Sequence, residues 1–283
     1  MDKSACPEAQ GGVRAALREA AARLEGVSDT PRLDAELLMA HALKVERAAL
    51  LLDPARFAVP AGFVSLVERR MAHEPVAYIL GYRDFWTIRL AVGPGMLIPR
   101  PDSETLIEAA VGYFGDGGPK RVLDLGTGPG TLLLAALVEW PGAHGLGIDE
   151  SEKAIDRAGM NADDLGLEER VQFRVGDWAT GLEGQFDLIL CNPPYIAHSE
   201  TLMPDVAEYE PAGALFAGVD GLDDYRRIIP DLPRLLAPGG VAVLEIGHRQ
   251  RISVTGLAEA AGFAVTCKQD LGGRDRALLL TRA

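Results

Sequence analysis

Cysteine is scarce in this chain. Cys6, Cys191 and Cys267 are odd in number and far apart, which supplies neither a disulfide framework nor a thiolate metal site and points to a reducing, cytoplasmic setting. Basic residues are also in short supply: 28 Lys and Arg stand against 41 Asp and Glu, a net charge of −13. That balance argues against an extended footprint on a nucleic-acid backbone and favours a protein or small-molecule substrate. No apolar run reaches the length of a membrane span, and the opening residues Met1 to Glu8 lack the apolar core of a signal peptide, so a soluble chain with no membrane partner is expected. His41, His73, His144, His198 and His248 show no metal-ligand spacing, and no metal is expected. There is neither a G-x-S-x-G elbow nor a Walker loop.

What is present begins with helical periodicity. With 283 residues the chain can bury a sizeable core, and two domains are expected. Residues 1–80 carry apolar positions three and four apart, at Val13, Leu17, Ala20 and Leu24, then Leu33, Leu37 and Ala40, then Val64, Val67 and Met71. This pattern predicts a small helical bundle, either a packing module or a substrate-docking domain. Asp29-Thr30-Pro31 reads as a cap followed by proline at the first helical position. Trp86, Ile88, Leu90 and Val92 then alternate with Thr87, Arg89 and Ala91 after a turn-like stretch from Gly81 to Asp84, which predicts a hairpin linker over 81–100. From Arg121 onward strands and helices alternate, and residues 101–283 are expected to form an α/β domain with a parallel sheet covered on both faces.

Four strand ends carry the chemistry. The apolar run Phe186 to Cys191 stops at Asn192-Pro193-Pro194-Tyr195. Proline has no N–H and ends the ladder, so the Asn192 amide oxygen and the Pro193 carbonyl are acceptors for a planar NH2 group, with the Tyr195 ring as an apolar wall. A strand that simply ends in a Pro-Pro loop is the plainer alternative. The loop Gly126-Thr127-Gly128-Pro129-Gly130 follows a strand and opens a helix, which lets a nucleotide-like ligand lie against backbone. Its G-x-G-x-G spacing departs from the dinucleotide fingerprint, and Pro129 removes one N–H. Asp149 ends the next strand, where it suits either ribose hydroxyls or a cap before Ser151. Trp178, in Gly176-Asp177-Trp178, fits either the core or the flank of an adenine, with Asp177 accepting from the adenine amine. Together these place a nucleoside across the carboxyl ends of the first three strands, with Asn192 facing its reactive end.

These residues resemble those of S-adenosylmethionine-dependent methyltransferases, and within them the HemK/PrmC protein-glutamine N5-methyltransferases. The resemblance runs through His73 to Gly81, Ile98-Pro99-Arg100-Pro101-Asp102-Ser103-Glu104, the Asp124 to Gly130 loop and Asn192-Pro193-Pro194-Tyr195-Ile196. It continues through Glu210-Pro211, Asp220-Gly221-Leu222 with Tyr225, and Glu245-Ile246-Gly247. It implies a Rossmann-like class I methyltransferase sheet behind a helical substrate-recognition domain. It also implies methylation of the glutamine in the Gly-Gly-Gln motif of peptide chain release factors. By the same likeness Gly126, Thr127, Gly128, Pro129, Gly130, Asp149, Trp178 and Asn192 hold S-adenosyl-L-methionine, while Asn192, Pro193, Pro194 and Tyr195 hold the glutamine amide. Asn192, Pro193 and Tyr195 are the expected catalytic residues. Methylation of a glutamine in a large-subunit ribosomal protein, adenine-N6 methylation of nucleic acid, and a non-enzymatic nucleoside-binding module are the alternatives. The long connection from Ile196 to Gly221 reads as a lid or as a surface excursion.

Overall fold

The computed structural model describes residues 12–283; Cys6 and the opening residues read for a signal peptide lie outside them. The chain divides into two units, one running to Gly81 and including Met203–Tyr209, the other comprising Tyr82–Leu202 and Glu210–Ala283.

The first unit is helical: α1 (Gly12–Leu24), α2 (Pro31–Leu43), α3 (Arg47–Leu52), α4 (Phe63–Met71) and α5 (Val76–Leu80), joined by the short α9 (Pro204–Ala207). In α1 the residues at three- and four-residue spacing, Val13, Leu17, Ala20 and Leu24, are the buried ones, as an amphipathic helix requires. Pro31 is the first residue of α2, but Thr30 gives no side-chain cap, because its hydroxyl bonds Asp34 at 3.3 Å instead. The start signal there is the fixed φ of proline rather than a cap. Asp34 pairs with Arg70 of α4 at 2.8 Å, both nearly buried, and Arg70 also reaches Asp205 at 3.3 Å. The Tyr209 hydroxyl donates to the Ala72 carbonyl at 2.7 Å.

The second unit opens with a hairpin, β1 (Tyr82–Phe85) antiparallel to β2 (Ile88–Ala91). Here the structure departs from the sequence pattern. Tyr82 to Asp84, read as a turn, are strand, and Trp86 occupies the two-residue turn with φ at 53°. Such tight turns match strand twist only with positive φ. Trp86 is held there by its backbone N–H on Glu104 at 2.8 Å and its indole N–H on Glu139 at 3.0 Å.

The main sheet contains β3 (Arg121–Leu125), β4 (His144–Asp149), β5 (Val171–Val175), β6 (Phe186–Cys191), β7 (Leu236–Glu245), β8 (Phe263–Gln269) and β9 (Asp275–Arg282), ordered β5-β4-β3-β6-β7-β9-β8. Strands β3 to β7 are parallel, but β9 runs antiparallel to both β7 and β8. The parallel sheet expected from the strand–helix alternation is thus present in β3 to β7 and becomes mixed at one edge. The physical reason is the short turn from Asp270 to Arg274, closed by hydrogen bonds to Asp270, since a connection without a crossover helix joins only antiparallel strands.

Both faces of the sheet are covered. Val122, Leu188, Leu190, Val241 and Val243 pack with residues of α6 (Glu104–Phe114) and α7 (Thr131–Glu139), and α8 (Glu152–Asp164) joins on that side through Ala162. Leu123, Leu125, Ile189 and Leu244 face α10 (Asp223–Ile228), α11 (Leu232–Leu235) and α12 (Arg251–Ala260). Burial on both faces explains the near-continuous apolar runs. Chain order reverses between β3 and β6, which opens a crevice at their carboxyl ends. Among the described residues no helix is long and apolar enough to cross a membrane, and no group of His, Cys, Asp and Glu is arranged to hold a metal.

Candidate active site

Strand register assembles the site. Leu125 is level with Ile148 on one side and Cys191 on the other, so the next residues, Gly126, Asp149 and Asn192, emerge together at the sheet edge. Asp149 is level with Val175, which brings in Gly176 and Trp178, and Cys191 is level with Leu244, which brings in Glu245. These strand ends border one cavity in the second unit, lined among others by Gly126, Asp149, Trp178 and Asn192.

The Gly126 to Gly130 loop turns tightly because three residues take positive φ, at 73°, 55° and 87° for Gly126, Gly128 and Gly130. Its amides at 126 and 127 both donate to the Ile148 carbonyl at 2.9 Å. Gly126, Thr127, Gly128 and Pro129 line the cavity, whereas Gly130 does not; it packs against Leu134 at the start of α7. Pro129 offers its carbonyl outward, to the Asn161 amide at 2.8 Å. The Asp149 carboxylate accepts from the Gly128 and Ser151 amides at 2.8 and 2.9 Å, so it braces the loop while each oxygen keeps a lone pair for a ligand.

Trp178 sits at φ 48°, with its indole N–H on Asp224 at 3.2 Å and its ring edge against Gly126. Asp177 lines the same cavity, and both of its oxygens accept from Arg227, at 2.5 and 2.7 Å. Asn192 donates its side-chain NH2 to Ser103 Oγ at 3.2 Å. Pro194 lines the cavity; Pro193 and Tyr195 do not. The Tyr195 hydroxyl instead donates to Glu245 at 3.2 Å, and burial beside that carboxylate pushes its pKa up.

Several groups here stand in the motifs that carry the family resemblance but were given no site role from the sequence. Asp124 is buried, accepts from the Thr127 hydroxyl at 2.7 Å and leaves Oδ1 without a partner among the described residues. Burial raises its pKa to about 7. Glu245 is likewise buried with Oε2 unpartnered, and burial raises it to about 7. Arg100 reaches Glu210 at 2.5 Å. The available signal was an acid closing an apolar strand, as in Val122-Leu123-Asp124 and Val243-Leu244-Glu245, where an ionisable group is costly unless it is used or paired.

Residues 15–81 match the PrmC N-terminal domain family and residues 118–252 a methyltransferase domain family. The release factor glutamine methyltransferase of Rhodospirillum rubrum is 47% identical over 90% of this chain and 80% of its own length. The enzyme of that name from Caulobacter vibrioides is 42% identical over 89% of each chain. The chain belongs to the release factor glutamine methyltransferase family. A solved ribosomal protein L11 methylase from Lactobacillus delbrueckii subsp. bulgaricus superposes with a TM-score of 0.51 at 21% identity, covering 68% of this chain and 83% of that one. That likeness carries the Rossmann-like class I methyltransferase fold of the second unit.

Proposed function

We infer that the chain transfers the methyl group of S-adenosylmethionine to the side-chain amide nitrogen, N5, of the glutamine in the Gly-Gly-Gln motif of peptide chain release factors. The relatives are named for release factors, and neither the ribosomal-protein nor the adenine-N6 alternative is favoured. The activity places the enzyme in the cytoplasm, where release factors work.

The residues present fit the methyl donor. Asp124 Oδ1 is a buried acceptor in want of a donor, suited to the ammonium of an amino-acid group. Gly128 borders open space, with nothing within 4 Å of where a side chain would start. Asp149 keeps acceptor capacity for ribose hydroxyls, and the Trp178 ring supplies an apolar wall for the adenine. When bound, the donor contributes an electrophilic methyl group on a sulfonium.

The chain's own contribution is orientation. An amide nitrogen is a weak nucleophile because its lone pair is delocalised into the carbonyl, and holding it in line is worth roughly 7–11 kcal/mol in favourable cases. Asn192 carries the reading. Its NH2 is turned to Ser103, which leaves Oδ1 to accept one N–H of the substrate amide, while the Pro193 carbonyl takes the other. Acceptors so placed also stabilise the positive charge that grows on nitrogen. Once methylated, that nitrogen is strongly acidic, so no dedicated base is required. Tyr195, its hydroxyl tied down on Glu245, holds the turn against the sheet. The helical unit presents the release factor and takes no part in the chemistry.

The test offers methyl-labelled S-adenosylmethionine with a release factor, a ribosomal protein and DNA in separate reactions, and with a release factor whose Gly-Gly-Gln glutamine is changed to glutamate. Label in the glutamine alone is expected. Asn192→Ala should lower kcat about a hundredfold to a thousandfold with little change in S-adenosylhomocysteine affinity, while Asn192→Asp keeps part of the rate. Label in the glutamate substrate, or a wild-type rate from Asn192→Ala, would remove the assignment.

A further inference from the structure

An asparagine amide that must accept from substrate is useful in only one of its two flips, and something has to choose. With the NH2 group outward, Asn192 would present donors to the donors of the glutamine amide. The choice is made behind the residue. Asn192 Nδ2 donates to Ser103 Oγ at 3.2 Å, and Ser103 is buried, 2% exposed. A hydroxyl that accepts from Asn192 must send its own proton elsewhere. Glu245, at the adjacent strand end, keeps a buried Oε2 that has no hydrogen-bond partner among the described residues, and the Ser103 hydroxyl favours the charged form of that carboxylate. Sheet register puts these groups together: Cys191 is level with Leu244, so Asn192 and Glu245 leave adjacent strand ends, with Ser103 just before α6 beneath them.

We propose that Ser103 and Glu245 are positioning residues, a buried relay that fixes the flip of Asn192 so that its Oδ1, and not its NH2, faces the substrate amide. This rests on the reading of Asn192 as the acceptor for the glutamine NH2. The relay runs by hydrogen-bond polarity. Ionised Glu245 accepts a hydrogen bond from the Ser103 hydroxyl, whose oxygen then accepts from Asn192, and Oδ1 is left facing outward. Protonated Glu245 donates into Ser103, whose hydroxyl must then seek the Asn192 oxygen, and the amide turns over. No bond is made or broken beyond this proton.

The other groups around Glu245 suit that role. The Tyr195 hydroxyl donates to Oε1 at 3.2 Å, and Arg276 stands 4.0 Å away. Arg276 is itself shared with Asp102 and Asp270, at 3.0 and 3.3 Å. The Tyr225 hydroxyl donates to the Glu245 backbone carbonyl at 2.7 Å, and Cys191, buried and pushed well above its ordinary pKa, stays a neutral thiol. Burial therefore prevails over these partners and raises the Glu245 pKa to about 7.

The experiment compares wild type, Ser103→Ala, Ser103→Thr, Glu245→Gln and Asn192→Ala in the full chain. It measures kcat against pH, S-adenosylhomocysteine affinity, and the Asn192 side-chain NH2 resonances assigned by their loss in Asn192→Ala. In wild type kcat should fall on the acid side with a midpoint near 7, and the Asn192 NH2 signals should move with the same midpoint. Ser103→Ala should lose about tenfold or more in kcat, as expected for a contact to a substrate-binding group, with cofactor affinity unchanged. Ser103→Thr, which keeps the hydroxyl, should restore most of the rate, and Glu245→Gln should abolish the acid limb. Wild-type kcat in Ser103→Ala, or an acid limb that survives Glu245→Gln, with Asn192→Ala inactive, overturns the relay and leaves the amide reading standing. A fully active Asn192→Ala removes that reading, and the relay with it.

Discussion

At the scale of single residues the site contrasts two kinds of carboxylate. Asp149 is supplied with two backbone N–H donors, at 2.8 and 2.9 Å, and keeps a lone pair on each oxygen for a ligand. Charge-assisted hydrogen bonds to ribose hydroxyls are worth roughly 1.5–3 kcal/mol, so Asp149→Ala should weaken S-adenosylhomocysteine binding by at least an order of magnitude in calorimetry. Unchanged affinity would take Asp149 out of the binding site. Asp124 is the opposite case: burial raises its pKa to about 7 from the ordinary 3.8, and Oδ1 lacks a partner. A cationic ligand group beside it favours the charged form. The sign follows directly, because the carboxylate is charged above about 7 and neutral below it. Cofactor affinity should rise with pH through that value and fall on the acid side, and Asp124→Asn should give weaker, pH-flat binding. Affinity that is flat with pH in the wild type would show that no ammonium meets Asp124.

Among elements, the glycine loop shows how backbone and side chains share a task. A Cβ at Gly126 would stand 2.9 Å from the Trp178 ring, with φ already at +73°. Left-handed backbone costs an ordinary residue roughly 1–2 kcal/mol, and the displaced indole is a cavity wall. Gly126→Ala should therefore weaken S-adenosylhomocysteine binding more than tenfold while circular dichroism stays native; wild-type affinity would mean that the ring does not define the site. Much at this scale was legible in the sequence. The central strands β3, β6 and β7 announce themselves as apolar runs because both faces are buried, and Gly126 and Asn192 stand where two of those runs stop, with Asp149 at the end of β4. The hairpin at β1 was harder to see, since Tyr82-Arg83-Asp84 is polar and the turn falls on a tryptophan at φ 53°, where glycine or asparagine is the usual sign. The antiparallel β8–β9 edge was hidden because strand direction depends on the length of the connection, not on strand composition. Ser103 and Glu245 stand in motifs that the sequence reading quoted, but their approach to Asn192 comes only through tertiary register, and no spacing along the chain records it.

For the whole molecule, the division of labour follows the division of the chain. The residues assigned to cofactor and amide all belong to the second unit, whereas Met203–Tyr209 belongs by its contacts to the helical unit although both its flanks belong to the other. That return of the chain is fastened by Arg70, which bridges Asp34 and Asp205 from a buried position, and by Tyr209 on Ala72. Removing one partner from a buried ion pair costs on the order of 3–5 kcal/mol, because the other charge is left uncompensated. Arg70→Met should thus loosen the helical unit selectively. S-adenosylhomocysteine affinity should stay at the wild-type value, and that measurement also shows the second unit to be folded. A short peptide carrying Gly-Gly-Gln needs only the site, so its methylation should persist. A whole release factor needs docking as well, so kcat/KM for it should drop, mainly through KM. The ratio of the two activities is therefore the quantity to measure. If Arg70→Met leaves that ratio unchanged while lowering the thermal stability of the helical unit, the helices serve packing alone and the substrate finds its own way to Asn192.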